Sequence, residues 1–502
     1  MSQAYTTSDE GEMFSPAFEQ FSDVVTQLRS EESRQLGHGQ VEQFLEKEGR
    51  ELLRRLLQGH LDYRAANETD GESLEGVVEG VIRSQHRQEC QSHLEPLCGD
   101  VIVTRRAYRA PGVPSLFALA AELHVPPDKY SDGLRRRLGQ EVALMSFDDA
   151  TERIAQTTGG HLPKRQSAQV AVKMAQDFEA FSDLRQAQEG EASADLLVLT
   201  TDSKGMVMRQ EDLREATRKA AQSASPTRKT RLSPGEKRQR KRMATVASVY
   251  TVAPYVRRPE SGMNPDPEEL PRPHVQNKRG WASGERDAKD VIDELFEEAL
   301  RRDPQQDRQW VVVVDGEPHQ LARIQAAARR HEVSVTIVVD FIHGLEYLWD
   351  AARGLYPGDA AAAEAWVQAR ALKVLQGQGS EVAAGMRRSA TLRQLSAQQR
   401  GVVDTCADYL LNRRSSLRYD VFLGLGFPIA TGVIEGACRH LVKDRMDLTG
   451  ARWRLQRAEA VLKLRSLRSS GDFEAYWCFH KEQELHRNHL SRYADPLFLD
   501  AK

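Results

Sequence analysis

The sequence predicts an α/β protein whose sheet-forming domain is interrupted by an all-α insertion and preceded by a mainly helical N-terminal region carrying a short β-ribbon. Three observations lead there. Short continuous apolar runs at 196–201 (LLVLTT), Trp310–Val314 and 333–339 have the length and β-branched content of buried strands. Helical patterns alternate with them, as expected of a sheet covered by helices. Upstream of residue 190 helical periodicity dominates, and residues 351–418 form an Ala-, Gln- and Arg-rich stretch with no strand candidate.

After a polar leader, residues 41–63 place Phe44, Leu45, Leu52, Leu53, Leu56 and Leu57 at helical spacing and read as an amphipathic helix. Residues 100–108 alternate through Val101 and Val103, then carry Arg105 and Arg106. This is a strand with basic residues, ended by Pro111, Gly112 and Pro114. Residues 147–156, a Gly turn and residues 163–175 have the proportions of a helix-turn-helix. Lys164, Arg165 and Gln166 open its second helix and suit phosphate and base-edge contacts, although a plain helical hairpin fits the same pattern. Residues 245–256 read as one or two strands, and helices at 286–302, 320–331 and 341–352 separate the later ones. A helix near Glu435 and another at 455–467 close the domain. The resulting organisation is a helical region (1–99), a strand-plus-helix region (100–190), a first α/β segment (191–350) with a basic and Pro-rich insertion (206–285), the all-α insertion (351–430) and closing helices (431–502).

A chain of 502 residues with 40% apolar and 28% charged side chains supports two to four soluble domains. No apolar run approaches the ~18 residues of a membrane span, and the polar N-terminus lacks a signal-peptide pattern, so no membrane partner is expected. The five cysteines form no regular framework, which points to a reducing cytoplasm. The net charge of −3 conceals a local run: residues 214–242 hold eleven Lys/Arg against Glu215 and Glu236. Lys237, Arg238, Arg240, Lys241 and Arg242 are its densest part and candidates for phosphate contact, with a solvated face as the plain alternative.

Two acids stand directly after apolar runs, Asp202 after LLVLTT and Asp315 after WVVVV, and Asp340 follows a third. In open α/β sheets, sites lie beyond strand ends. A lone strand-end Asp is commonly a helix cap, but several in one sheet point to a site. Glu435 lies in TGVIEGACRHLVKDR, where Glu435, Arg439 and Lys443 recur every four residues and share a helical face. An i,i+4 surface ion pair is the plain reading of that stripe. Attack on a phosphodiester needs an activated water or 3′-hydroxyl and a stabilised leaving oxygen, which two Mg²⁺ ions ~3.5–4 Å apart supply. Mg²⁺ takes hard oxygen ligands and keeps waters, so Asp202, Asp315 and Glu435 can suffice, with Mn²⁺ as a substitute.

These residues resemble the DDE-type transposases of bacterial insertion sequences, and more narrowly the ISKra group, related in layout to the Mutator-like transposases. The likeness is carried by LLVLTTDSKGMVM, WVVVVDGEPHQ, VVDFIHGLEYLW and TGVIEGACRHLVKDRMDLTGARW, and it extends over roughly residues 100–480. The resemblance implies a ribonuclease-H-like catalytic domain, Asp202, Asp315 and Glu435 as metal ligands, and a site role for His343 in the Asp340-x-x-His343 pair. It implies Mg²⁺-dependent cleavage and strand transfer at element ends, double-stranded DNA as partner and a nucleoid-associated place in the cytoplasm. Acting on two ends calls for a homodimer or larger assembly on DNA. Arg439, Lys443, Arg452 and Trp453 are further DNA-contact candidates, Trp453 by stacking or, equally, a core residue. Relatives often carry a cysteine-paired ribbon; here His86, Cys90, His93 and Cys98 precede the strand with irregular spacing and no second half. A zinc site stays open in principle, but the pattern reads as helix and loop residues. A two-metal nuclease without strand transfer and an inactive DNA-binding regulator are the competing functions.

Overall fold

The computed structural model describes residues 12–68, 73–76, 80–184, 195–223, 240–263 and 271–493. They fall into two units, Met1–Asp183 with Asp472–Lys502, and Leu184–Gly471. Lys237 and Arg238 of the basic run lie outside the described residues. No described helix is long and apolar enough to cross a membrane.

The first unit opens with α1 (Ser15–Arg29) and α2 (His38–Ala66). Gly59 of α2 lets the residues just before α1 come close, since a Cβ there would lie 2.8 Å from the Met13 carbonyl. Within α2 the amphipathic segment buries Leu61 against Val101, Val103, Ala120 and Val125, while Leu45, Leu53 and Leu56 stay exposed. β1 (Gln85–Leu94) pairs antiparallel with β2 (Val101–Arg109), with a bulge between Arg87 and Cys90. Here the sequence reading is corrected: His86, Cys90 and His93 lie on a strand, not on helix or loop. β1 is polar and almost wholly exposed, so no apolar alternation marks it. Its ladder partner β2 supplies the buried face through Val101, Val103 and Ala107. The four zinc-type donors do not converge among the described residues, and His93 Nδ1 instead sits 2.8 Å from Asp100.

Helices follow, among them α3 (Asp132–Val142), α4 (Phe147–Thr157), α5 (Lys164–Met174) and α6 (Phe178–Leu184). The side chains of Ser131 and Ser146 accept backbone N–H groups at the starts of α3 and α4, satisfying donors that the helix itself leaves open. Pro163, with no N–H to lose, precedes α5. The helix Phe473–Asn488, which follows the Glu435 region and the helix Leu455–Ser469 in sequence, belongs to this first unit. Its Tyr476 hydroxyl donates to the Met174 carbonyl, and His480 Nδ1 pairs with Asp177 at 2.6 Å.

The second unit is a five-stranded mixed sheet with helices. The strands β3 (Leu196–Val207), β4 (Lys241–Val252), β5 (Gln276–Ser283), β6 (Trp310–Val314) and β7 (Thr336–Val339) stand in the order β5-β4-β3-β6-β7. β4 is antiparallel to both neighbours, while β6 runs parallel to β3 and β7 parallel to β6. The basic and Pro-rich stretch therefore contributes two strands to the sheet, and β4 begins inside the basic run at Lys241. β5 carries no strand signal because its sequence, QNKRGWAS, opens polar and buries Arg279. The Glu298 carboxylate on α7 (Ala288–Arg302) accepts from that guanidinium at 2.6 Å, which makes the burial tolerable.

After α8 (Pro318–Arg330) and β7, the all-α segment forms α9 (Phe341–Leu355), α10 (Ala360–Leu375), α11 (Gly379–Leu392), α12 (Ala397–Asn412) and α13 (Tyr419–Gly424). It is not a separate core. Val198, Val311, Val313 and Val338 of the sheet share one apolar cluster with Leu348, Trp366, Met386, Leu410 and Phe422 of these helices. The chain then enters α14 (Gly432–Ala437), a π-helical turn (Cys438–Lys443) and, further on, α15 (Leu455–Ser469). The π turn corrects the straight stripe read from Glu435, Arg439 and Lys443. Wider winding begins at Cys438 and breaks the four-residue repeat, although all three side chains stay exposed.

Candidate active site

Sheet register sets two carboxylates side by side. Thr200 pairs with Val313 in the parallel β3–β6 ladder, and side chains two residues further along each strand return to the same face. Asp202 and Asp315 are therefore neighbours, both half-buried. Asp315 follows the end of β6, whereas Asp202 lies inside β3, whose second half pairs with β4 through Val207. The turn after Asp315 requires glycine. Gly316 has φ +86°, and a Cβ there would meet Val339 and Arg413 at 3.0 Å. Arg413 Nε donates to the Gly316 carbonyl at 2.6 Å, and its guanidinium lies 4.4 Å over the Tyr409 ring.

Glu435 reaches the same neighbourhood because α14 is pinned on either side of it. Upstream, Thr431 donates its backbone N–H at 3.2 Å, and its hydroxyl, to Asp340 Oδ2. Asp340 is 2% exposed, and its other oxygen caps α9 by accepting the Ile342 N–H at 2.7 Å. The Thr431 hydroxyl oxygen is 3.5 Å from Glu435 Oε1. Downstream, the buried Cys438 thiol donates to Asp202 Oδ2 at 3.3 Å. Burial pushes the Cys438 thiol up, with the Asp202 carboxylate adding to the shift, so it stays protonated as a donor. Lys204, on the same face of β3 two residues from Asp202, contributes positive charge near that thiol.

Among the described residues, Asp202, Asp315 and Glu435 make no ion pair. Asp202 and Asp315 accept N–H groups from Ser203 and Glu317 beside them, and Asp202 takes the thiol as well. The three acids form no ion pair, although Lys204 lies near Asp202, and their oxygen atoms do not all come within 4.8 Å of one another; divalent ions drawn between them would relieve the unneutralised charge. Their hard oxygen atoms and partial exposure fit Mg²⁺.

One group of described residues brings three donor atoms within 4.8 Å of one another, and it lies in the first unit: Asp177, His480 and Glu484, which could hold a metal ion. Its acids are already engaged. Arg487 donates to both Asp177 and Glu484, and Arg135 lies 3.5 Å from Glu484. A cation there would compete with two guanidinium groups. Among the described residues the Asp202 set forms no ion pair with an arginine or lysine, Lys204 being near it without pairing.

The remaining candidate residues fall in varied settings. His343 is half-buried, pairs with Glu346 at 3.0 Å and meets Tyr347 and Tyr409 edge-on; it makes no bond to Asp340. Lys164, Arg165 and Gln166 are exposed on α5, with Lys164 paired to Asp148 and Gln166 accepting the Tyr130 hydroxyl. Lys241, Arg439, Lys443 and Arg452 are exposed, and Arg240 is half-buried. Two expectations of nucleic-acid contact are corrected. Arg242 is committed to the carbonyls of Gly284, Asp212 and Glu285, so it holds a loop. Trp453 is buried, donates Nε1–H to the Met446 carbonyl and lies under the Arg445 guanidinium, so its ring faces no solvent-borne base. Thr431 and Arg413 went unread in the sequence. Thr431 precedes Gly432 as a cap would, a signal open to reading, but Arg413 has no local mark.

These environments predict unequal thiol reactivity. Burial raises Cys406 to about 12 and carries Cys438 higher still. At pH 8 neither should react with a disulfide reagent in the folded protein, while the exposed Cys478 should. Mass spectrometry of labelled peptides before and after denaturation checks this. Labelling of Cys438 in the native state would refute its placement against Asp202.

No family model matches the chain, and no curated protein matches it.

Proposed function

We propose that the second unit is the catalytic domain of a DDE-type transposase, cutting DNA at element ends and joining the ends to a target. The observation that carries this reading is the set Asp202, Asp315 and Glu435: three acids from two adjacent strands and a pinned helix, none with a cationic partner among the described residues. The strand order supports it too. Counted along the domain, the order 3-2-1-4-5 with an antiparallel second strand is what a ribonuclease-H-like sheet requires.

Two Mg²⁺ ions, or Mn²⁺, held by these carboxylates would supply Lewis acidity for the attacking hydroxyl or water and for the leaving oxygen. The protein's own residues orient and exclude. Asp340 and Thr431 fix the start of the Glu435 helix, Cys438 steadies the outer oxygen of Asp202, and Gly316 allows the turn that presents Asp315. Exposed Arg439, Lys443, Arg452 and Lys241 would meet phosphates, and Lys164, Arg165 and Gln166 would read end sequence from the first unit. Coordinating two ends calls for at least a dimer on double-stranded DNA, within the nucleoid of the cytoplasm.

The test is a strand-transfer assay with oligonucleotides carrying the ends of the element. Joined product in Mg²⁺, and binding without catalysis in Ca²⁺, are expected, because Ca²⁺ prefers larger and looser coordination. Hydrolysis without joining would replace the reading with a nuclease. Neither product would refute it.

Asp340→Asn isolates the positioning role. The amide keeps an oxygen for the Ile342 N–H but turns the group that accepts from Thr431 into a donor. Roughly tenfold loss of apparent Mg²⁺ affinity is expected, with DNA affinity unchanged, as for residues that orient ligands. An unaltered Mg²⁺ titration would remove Asp340 from the site.

A further inference from the structure

The strand β2 brings Arg105 into the first unit, where the proposed chemistry of the second unit has no use for it. Arg105 borders a cavity of about 250 Å³, on whose wall also lie Phe117, Ser115, His489 and Arg492. On that measure a single water needs about 10–15 Å³, so the space admits a polyatomic ligand with water around it.

The charge of the cavity is one-sided. No Asp or Glu lines it. The Arg105 guanidinium lies 4.4 Å over the Phe117 ring, and its buried Nε has no hydrogen-bond partner among the described residues. Burial pulls its pKa down, and the weak opposing influence of Glu68 comes from a carboxylate already accepting the backbone N–H of Arg106. Arg492 is exposed, with no side-chain partner among the described residues. His489 bonds through Nε2 to the Val125 carbonyl at 2.9 Å, which fixes that wall. Its pKa is lowered by burial first, the Val125 bond opposing, and further by the positive charge of Arg492 and Arg105. A half-buried guanidinium with an unpartnered inner nitrogen and no ion pair is stabilised when a ligand completes it.

We propose that this cavity binds a phosphate group between Arg105 and Arg492. A guanidinium presents planar pairs of donors, and a tetrahedral dianion offers enough oxygen atoms to engage two such forks at once, which a single carboxylate does not. Stacking on Phe117 holds Arg105 ready and limits the rotamer freedom lost on binding. The phosphate comes either from a DNA backbone or from a small phosphorylated molecule. The pocket does not depend on the reading of Asp202, Asp315 and Glu435.

The experiment is calorimetric titration of inorganic phosphate into the full chain at fixed ionic strength with EDTA present, which removes divalent ions from the carboxylate site. Saturable one-site binding is expected at millimolar phosphate, weakened at least about tenfold by Arg105→Gln and by Arg492→Gln. Arg492 is exposed, so its variant keeps the fold if Arg105→Gln does not. Asp202→Ala should bind phosphate as the native chain does, which separates this site from the other. Short duplex DNA is then added as competitor. Displacement of phosphate, with DNA affinity lost in both variants, supports the pocket and identifies a backbone phosphate. Phosphate binding that DNA leaves untouched supports the pocket and identifies a small phosphorylated ligand. Absence of saturable binding, or unchanged binding in both variants, overturns the proposal.

Discussion

Single replacement of Asp202, Asp315 or Glu435 by alanine is expected to abolish DNA strand cleavage and joining while DNA affinity stays within a few-fold. Losing about 4 kcal/mol of charge stabilisation in the transition state lowers a rate roughly a thousandfold. The three should act as a unit, so double variants should be no slower than singles. Stability gives an independent readout. None of these acids makes an ion pair among the described residues, and removing one ends its repulsion with the other two. The thermal midpoint without metal should therefore hold or rise, whereas an acid serving the fold would lower it. Cleavage assays in Mg²⁺ and melting curves in EDTA check both statements. Substantial cleavage by Asp315→Ala would end the metal assignment, and a lowered midpoint for all three would make them structural.

Glu298→Ala is expected to cause the largest loss of stability, about 3–5 kcal/mol, as for a buried pair broken on one side. Glu298 is 2% exposed and holds two buried guanidinium groups. Arg279 donates to Oε2 at 2.6 Å, and Arg302 donates to Oε1 through Nε at 3.0 Å and a terminal nitrogen at 2.9 Å. Removing the carboxylate takes this buried anion from both guanidinium groups, one on the strand β5 and one at the end of α7. Adding Arg279→Met should recover part of the loss, since an apolar side chain costs less there than an unpaired charge. Urea unfolding of the single and double variants measures this. A loss below about 1 kcal/mol, the range of exposed pairs, would show that water reaches the cluster.

Much of the second unit was legible. The runs LLVLTT and WVVVV became the centre of the sheet, because β-branched apolar residues in short blocks have few other places to go. The helices of the insertion followed from an Ala-, Gln- and Arg-rich composition without strand candidates, and the two helices at 147–157 and 164–174 from their helical proportions and the Gly turn between them. β1 and β5 were not legible. Each is polar where a strand would normally announce itself, and each relies on a partner elsewhere: the buried face of β2 for one, Glu298 for the other. The straight stripe through Arg439 failed because a π turn is set by packing, and residue spacing does not encode it.

The sequence by itself determined which apolar runs would be strands, where Asp202, Asp315 and Glu435 would stand along the chain, and which chemistry such acids suit. Tertiary structure alone decided that Cys438 donates to Asp202, 236 residues away, that Asp340 holds Thr431 across 91 residues, and that Trp453 and Arg242 face inward. The division has a physical basis. Secondary structure is written in periods of two and 3.6 residues, which a short window contains. A hydrogen bond between distant segments leaves no periodic trace, because the sheet and the core bring its partners together only when the whole domain closes.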